Sequence, residues 1–214
     1  MLAPNPIHTR AKKILTSGFF LLVFGSFLSI MLTVAYASVG SKPQEQYIML
    51  STVGSDMTTK SIYPTSGPLV SEGDTLDWNV QLYNHMGESE YVEIRLKLLN
   101  STQQGPDNVL HLPSPAAHIY EERIALASNE TAVIPIAINI ADAEAGAGGA
   151  TAIRALTVNG AEITGLNVAN DKSNNFRFII ELWRHDVETE SFVFTWPSGL
   201  ESESAWNQIR IQVK

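Results

Sequence analysis

Residues 14–37 form an unbroken run of 24 residues without a formal charge, "ILTSGFFLLVFGSFLSIMLTVAYA". Coiled as a helix, such a run is about 36 Å long, enough to cross a hydrocarbon core of about 30 Å with some tilt. Two fates fit it. A secretion signal is cut after a small-x-small site, and Ala35-Tyr36-Ala37 followed by Ser38 has that form. A cleavable signal, however, has an apolar region of roughly 7–15 residues, and this run is longer. Its length favours a retained signal anchor. Arg10, Lys12 and Lys13 precede the run, and no acidic residue occurs before Glu45. By the positive-inside rule, residues 1–13 are a basic cytoplasmic terminus, 14–39 a transmembrane helix and 40–214 an extracytoplasmic body. The expected location is the cell membrane, with lipid as the first partner.

Within the run, Gly25, Ser29, Thr33 and Ala37 recur every four residues, and Gly18 lies seven before Gly25. Four-residue spacing keeps small side chains on one helical face, where a second backbone can approach closely in lipid. That face is a candidate docking stripe for another membrane protein or a second copy. Membrane helices are rich in these residues in any case, so chance is the competing explanation.

The remainder is long enough for one or two domains with a real core. The chain has no cysteine, which excludes disulfides, thiolate metal sites and a lipidated cysteine after the apolar run. Beyond residue 37, 11 Lys and Arg face 22 Asp and Glu. Such a surface repels phosphate backbones, so no nucleic-acid partner is expected.

From residue 44 onward the dominant period is two. In residues 74–84, Leu76, Trp78, Val80 and Leu82 face one way, and Thr75, Asp77, Asn79 and Gln81 the other. In residues 90–98, Val92, Ile94, Leu96 and Leu98 point in while Glu93, Arg95 and Lys97 point out. The short glycine-containing link 85–89 predicts that these two runs form a hairpin. Residues 129–140 bury Ile134, Ile136, Ile138 and Ile140, and Pro135 marks an edge strand or a bulge. Residues 175–184, 192–196 and 206–213 continue the pattern, with weaker candidates at 47–52 and 120–127. About eight strands without an amphipathic helix predict a mainly β body, an antiparallel immunoglobulin-like β-sandwich, with a closed barrel as the alternative.

One segment breaks the rhythm. Residues 141–152, "ADAEAGAGGATA", read as a flexible low-complexity spacer opening an insertion over about 141–172. Asn159-Gly160 lies between two apolar runs and predicts a hairpin with arms near 152–158 and 161–168. A short helix at 151–156 is the alternative.

Catalytic signatures are sparse. His8, His85, His111, His118 and His185 form no metal-binding pair, and a satisfied histidine is expected at each. No nucleophile elbow occurs. Gly146, Gly148 and Gly149 lack the lysine and the βαβ setting of a phosphate loop. Glu72 with Asp74 or Asp77 could hold calcium, but "SEGD" is also an ordinary polar turn, the stronger explanation. No metal or cofactor is implied. Asn100-Ser101-Thr102 and Asn129-Glu130-Thr131 are candidate N-glycosylation sites at strand ends. Tyr120, Trp183 and Trp206 are candidate ligand-contacting aromatics.

With the strands placed, the order "QYIML", "IYPTSGPLVSEGDTLDWNVQLYNH", "YVEIRLKL" and "FRFIIELWR" resembles the archaeal membrane proteins grouped as domain of unknown function 1616. The resemblance rests on Tyr63-Pro64, Gly73, Asn84-His85 and Glu181-Leu182-Trp183, over roughly 44–140 and 175–213. It implies the fold, the topology and an archaeal source, and it carries over no catalytic residue. This chain departs from the family in having one membrane segment and the 141–172 insertion. Tyr-Pro and Asn-His read as corner-forming pairs, Asn84 being able to bond backbone in a turn. The expectation is a non-enzymatic accessory or interaction module of a membrane or cell-surface complex. A glycan- or polymer-binding module and a hydrolase with a loop-assembled site are the rivals.

Overall fold

The structure is a computed structural model that describes residues 6–40, 45–64, 67–170, 173–198 and 201–214, without the side chains of 6–17, 38–40, 198 and 201. The side chains of Arg10, Lys12 and Lys13, and residues 171–172 at the end of the expected insertion, lie outside the described residues. Two compact units result, Met1–Gln44 and Glu45–Lys214.

The first unit is one helix, α1 (Pro6–Gly40). Its segment Gly18–Ala37 has a mean hydropathy of 2.2, and none of it is buried. The hydroxyls of Ser26 and Thr33 donate to the carbonyls of Leu22 and Ser29, each at 2.8 Å, so these polar side chains are satisfied within the helix itself.

The second unit is a sandwich of two six-stranded sheets. The first sheet has β1 (Ile48–Gly54), β3 (Thr75–Asn84), β6 (Thr131–Ala145), β7 (Thr151–Val158) and β8 (Ala161–Ile163) in that spatial order, with β9 (Val168–Asn170) also on β7. The second has β2 (Leu69–Val70), β14 (Ala205–Val213), β10 (Asn175–Asp186), β4 (Glu90–Asn100) and β5 (Tyr120–Leu126), with β11 (Ser191–Val193) also on β10. β12 (Trp196–Ser198) and β13 (Glu201–Glu203) form a separate two-stranded sheet, with Trp196 buried in the core. Pairing is antiparallel except between β2 and β14. The immunoglobulin-like plan follows: β1, β3 and β6 lie in one layer, and β4, β10 and β14 in the other.

The period-two runs supply the core. Leu76, Trp78, Val80 and Leu82 of β3 and Val92, Ile94, Leu96 and Leu98 of β4 are all buried, as are Phe176, Phe178, Ile180 and Leu182 of β10. Between the layers the Trp78 and Phe178 rings meet edge-on at 5.3 Å. The Trp78 indole donates to the Ile62 carbonyl at 2.8 Å, so its one polar atom is satisfied.

Two expectations and one alternative need correction. First, β3 and β4 do not form a hairpin. Residues 85–89 form an arch, and the two strands belong to different sheets. Both strands present an apolar stripe, and facing each other across the core buries both stripes together. Asn84, fully buried, fixes this arch. Its amide nitrogen donates to the carbonyls of Glu88 (2.8 Å), Leu126 (3.1 Å) and Ala127 (3.1 Å), and its Oδ1 accepts from Met86 N at 2.9 Å. Its backbone pairs with Glu130 O and Asn129 N at 3.0 and 2.8 Å. One side chain thus ties the β3–β4 and β5–β6 crossings together.

Second, residues 141–152 are not a flexible spacer. Residues 141–145 prolong β6, a tight turn spans Ala147–Gly149, and β7 begins at Thr151. Gly148 and Gly149 take positive φ in that turn (75° and 87°), which only glycine adopts freely. Third, residues 151–156 are strand rather than helix. Ile153, Leu156 and Val158 of β7 are buried, so the segment contributes to the core. The Asn159-Gly160 hairpin is present, with φ of 50° and 81°, and its second arm is the short β8. Pro135 sits where β6 has only β3 beside it, because β7 pairs with β6 only from Ile138 onward. There the Asn159 side chain covers the free edge, accepting from Ala137 N at 2.8 Å and donating to Pro135 O at 3.1 Å.

Asn84→Ala is expected to destabilise the body by about 2–3 kcal/mol, since it strands the buried Leu126 carbonyl and the buried Met86 amide at once. The full chain in detergent would show this as a lower urea midpoint with an unchanged slope. A midpoint equal to the parent's would remove Asn84 from its role.

Candidate functional site

In immunoglobulin-like sandwiches the loops on the rigid layers are the usual place for binding. Here the connection 101–119, between β4 and β5, and the connection 187–204, between β10 and β14, are the longest in the body. They pack against each other over the outer face of the second sheet. Thr195 Oγ1 donates to His111 O, His111 Nδ1 lies 3.0 Å from Ser204 Oγ, and the Trp206 indole donates to Asn108 Oδ1 at 2.6 Å.

This cover explains a further correction. Glu93 and Lys97, expected to point to solvent, do leave the core side of β4, yet both are buried, as is Glu181 beside them. Each charge is met. Lys97 Nζ lies 2.8 Å from Glu181 Oε2 and donates to Ser114 O at 2.6 Å. Ser114 N donates to Glu181 Oε1 at 2.8 Å, and the Trp183 indole to Glu181 Oε2 at 3.0 Å. Glu93 pairs with Arg95 and, at 2.7 Å, with Arg123. The Arg95 guanidinium stacks 3.7 Å from the Trp183 ring centre, and Trp183 leans on Phe194 at 5.7 Å. Further along the same face, Tyr91, His185 and Phe192 form a ring cluster with the Arg123 guanidinium 5.0 Å from Phe192.

The tip of the 101–119 connection is exposed and apolar. Val109 is 84% exposed, Leu110 65% and Leu112 52%. Its backbone is nevertheless well held. Asp107 N donates to Leu112 O at 2.9 Å and accepts in return at 3.2 Å through its own carbonyl. Asp107 Oδ1 accepts from Val109 N (2.7 Å) and Leu110 N (2.9 Å). Those two donors, Leu110 first, hold its pKa below the usual 3.8.

The candidate aromatics are divided. Trp183 and Trp206 lie on the same outer face, on either side of buried Glu181, since Glu181 pairs with Trp206 across β10 and β14. Both are half-buried, and both indole N–H groups are engaged. Tyr120 is elsewhere, at the start of β5, where its hydroxyl donates to Glu122 and accepts from Asn159. Burial, chiefly, raises its pKa above the usual 10.0. The two sequon asparagines also differ. Asn129 is exposed at φ 60°. Asn100 is half-buried and donates its amide nitrogen to Ala169 O at 2.8 Å, while Oδ1 holds the backbone of Thr102 and Gln103. On α1, Gly25, Ser29 and Thr33 share one exposed face with Leu28, Leu32, Ala35 and Tyr36, while Gly18 and Ala37 bound the same apolar segment.

The acidic turn at 71–74 is an ordinary one: Asp74 Oδ2 accepts from Ser71 N at 2.8 Å, and Gly73 has φ 86°. Among the described residues no group of three His, Asp or Glu is placed to hold a metal ion. Tyr63, of the Tyr-Pro pair, donates its hydroxyl to Arg210 O at 2.9 Å and so pins the segment before β2 to β14.

No family model matches the sequence, and no curated protein does. Solved structures of low identity are similar in form. The CARDB domain of the PF1109 protein from Pyrococcus furiosus, solved with di-metal ions, is similar over 81% of this chain and 97% of its own, at 9% identity and a TM-score of 0.38. A β-glucosidase from Listeria innocua, solved with glucose, is similar over 78% of this chain at 10% identity and a TM-score of 0.37. This chain spans 16% of that enzyme's length. Native α2-macroglobulin from Escherichia coli, from domain MG7 to its C-terminus, gives 80% and 17% coverage, 9% identity and 0.36. None of these likenesses bears on the chemistry of this chain.

Two outcomes are expected. Lys97→Met, which leaves Glu181 charged, buried and unpaired, lowers stability by about 3–5 kcal/mol, and adding Glu181→Leu recovers part of the loss. Denaturant titration of the three proteins decides it; equal stability of Lys97→Met and the parent would refute the buried pair. For Asp107, the folded pKa lies below the usual 3.8, so its contribution to the tip is complete above that value and lost as pH falls through the folded one. Hydrogen exchange at Val109 and Leu110 is expected to lose protection on that acid side and, in Asp107→Ala, at neutral pH too.

Proposed function

We propose that this chain is a single-pass membrane protein whose β-sandwich acts outside the cytoplasm as an accessory or interaction module of a membrane or cell-surface complex. The observation that carries the reading is the wholly unburied segment Gly18–Ala37, 20 residues long. At about 1.5 Å per residue it spans about 30 Å, the thickness of a hydrocarbon core. A continuous apolar cylinder of this size is covered either by lipid or by other apolar helices. The basic residues ahead of it orient it with the amino terminus in the cytoplasm. The small-residue face along Gly25, Ser29 and Thr33 supports association with a membrane partner or a second copy. The motif resemblance to the archaeal family named above accords with this reading, and the chain is treated as non-enzymatic.

Three measurements test the reading. The chain expressed in intact cells is expected to stay in the membrane pellet after alkaline washing, with residues 1–37 retained. A membrane-impermeant amine label applied outside is expected to reach Lys60 and Lys214. Recovery of a chain beginning at Ser38, or labelling only after lysis, would overturn it. Gly25→Leu with Ser29→Leu is expected to abolish cross-linking to the membrane partner or second copy while leaving membrane retention intact.

A further inference from the structure

The six arginines of the body divide sharply. Arg95, Arg123, Arg154 and Arg184 each lie within ion-pair distance of a glutamate. Among the described residues, Arg177 and Arg210 have no carboxylate partner, and they stand directly opposite each other on β10 and β14. Arg177 alternates with the buried Phe176 and Phe178, and Arg210 with the buried Ile209 and Ile211, so both point to the outer face. Directly opposed residues have Cβ atoms about 4.5–5.5 Å apart, and like charges there repel. A body with twice as many acids as bases has thus placed two cations side by side with no acid between them.

Their surroundings form a recess. Ser101, Asn175, Phe176, Arg177 and Arg210 line a cavity of about 410 Å³, within the range of small-molecule sites. Among the described residues no carboxylate lines it. Arg177 is fixed by donating Nη2 to the carbonyls of Asn100 and Gln103, while its Nε is buried with no hydrogen-bond partner. A buried N–H without an acceptor is costly, and a ligand oxygen would relieve it. The Arg210 guanidinium is exposed and makes no hydrogen bond among the described residues. Asn175 Oδ1 is already taken by Gln212 Nε2 at 3.0 Å, which leaves the Asn175 amide nitrogen as a further donor.

We propose that this recess is an oxyanion site, in which the Arg177–Arg210 pair binds the carboxylate or phosphate group of a small molecule. The unpartnered Arg177 Nε–H and the free Arg210 guanidinium are donors such a group can take, and its negative charge cancels the repulsion between the two cations. The site is independent of the membrane reading, because it lies wholly within the sandwich.

The test uses the full chain in neutral detergent, with inorganic phosphate, sodium glucuronate and glucose as probes against sodium chloride of equal ionic strength. Phosphate or glucuronate is expected to raise the melting temperature above the chloride control, and glucose is not. A rise with phosphate alone assigns the site to the free inorganic anion, and a rise with glucuronate alone assigns it to a sugar acid. Arg210→Gln, at an exposed position, is expected to weaken anion binding at least tenfold by titration calorimetry. Without anion, this variant is expected to be at least as stable as the parent, since the repulsion is gone. No anion-dependent rise in the parent, or a full rise retained in Arg210→Gln, overturns the proposal. So does an anion-free variant less stable than the parent.

Discussion

Asn84 is the constraint from which the rest of the body follows. A strand with one apolar stripe can meet a second such strand beside it or across from it, and the two outcomes give different folds. Here the chain leaves β3, turns through His85–Ser89 and enters β4 in the opposite layer. Backbone that crosses between layers leaves carbonyls and amides outside the sheet ladders, and each needs another partner. The Asn84 amide satisfies three of those carbonyls, on Glu88, Leu126 and Ala127, and its own oxygen takes the Met86 N–H. The second crossing, between β5 and β6, runs past the same side chain. With both crossings set, the register between the layers is set too, and Trp78 arrives against Phe178.

The outer face of the second sheet obeys a different logic. A sheet layer in an immunoglobulin-like fold commonly leaves one face to water, and residues such as Glu93, Arg95 and Lys97 suit that position. The 101–119 and 187–204 connections remove the water. Once covered, a charge must be paired and fully hydrogen-bonded or it costs several kcal/mol. The sequence meets that demand within the same face: Lys97 with Glu181 and Ser114, Glu93 with Arg95 and Arg123. The pairing is directional, so it fixes where the loops sit. It thereby holds the exposed Val109–Leu110 tip in a defined place, which a purely apolar cover would do less specifically.

Much of this architecture was legible in the residues, and the parts that were not share a cause. β3, β4, β10 and β14 carry large apolar residues at every second position, a signal local enough to read directly. Asn159-Gly160 announces its hairpin because few other residue pairs accept two positive φ values. Residues 141–145 do alternate, as Ala-Asp-Ala-Glu-Ala, but alanine is too small to mark a buried face, and the strand extension passed for a spacer. The arch at 85–89 has the length of a hairpin loop; what distinguishes it is contact with residues 126–130, far off in sequence. The burial of Lys97 and Glu181 depends likewise on Ser114, 17 residues beyond Lys97. Of the candidate site, Trp183 and Trp206 were picked out by type, but their position around a buried carboxylate is a product of strand register. Arg177 and Arg210 stand 33 positions apart, and only the pairing of β10 with β14 makes them neighbours.

That use of cations has a consequence for how the body is held. Four of the six arginines of the sandwich are engaged with glutamates, so they neutralise acids rather than presenting positive charge to the surroundings. The excess of acidic residues remains. Lipid headgroup surfaces are commonly anionic, and an acidic body is repelled from them over about a Debye length, near 8 Å at physiological salt. Adsorption of the sandwich therefore cannot keep it at a bilayer, and a single lipid-facing Leu or Val tip adds too little area to reverse the balance. If the protein resides at a membrane, the free energy comes from burying the apolar length of α1.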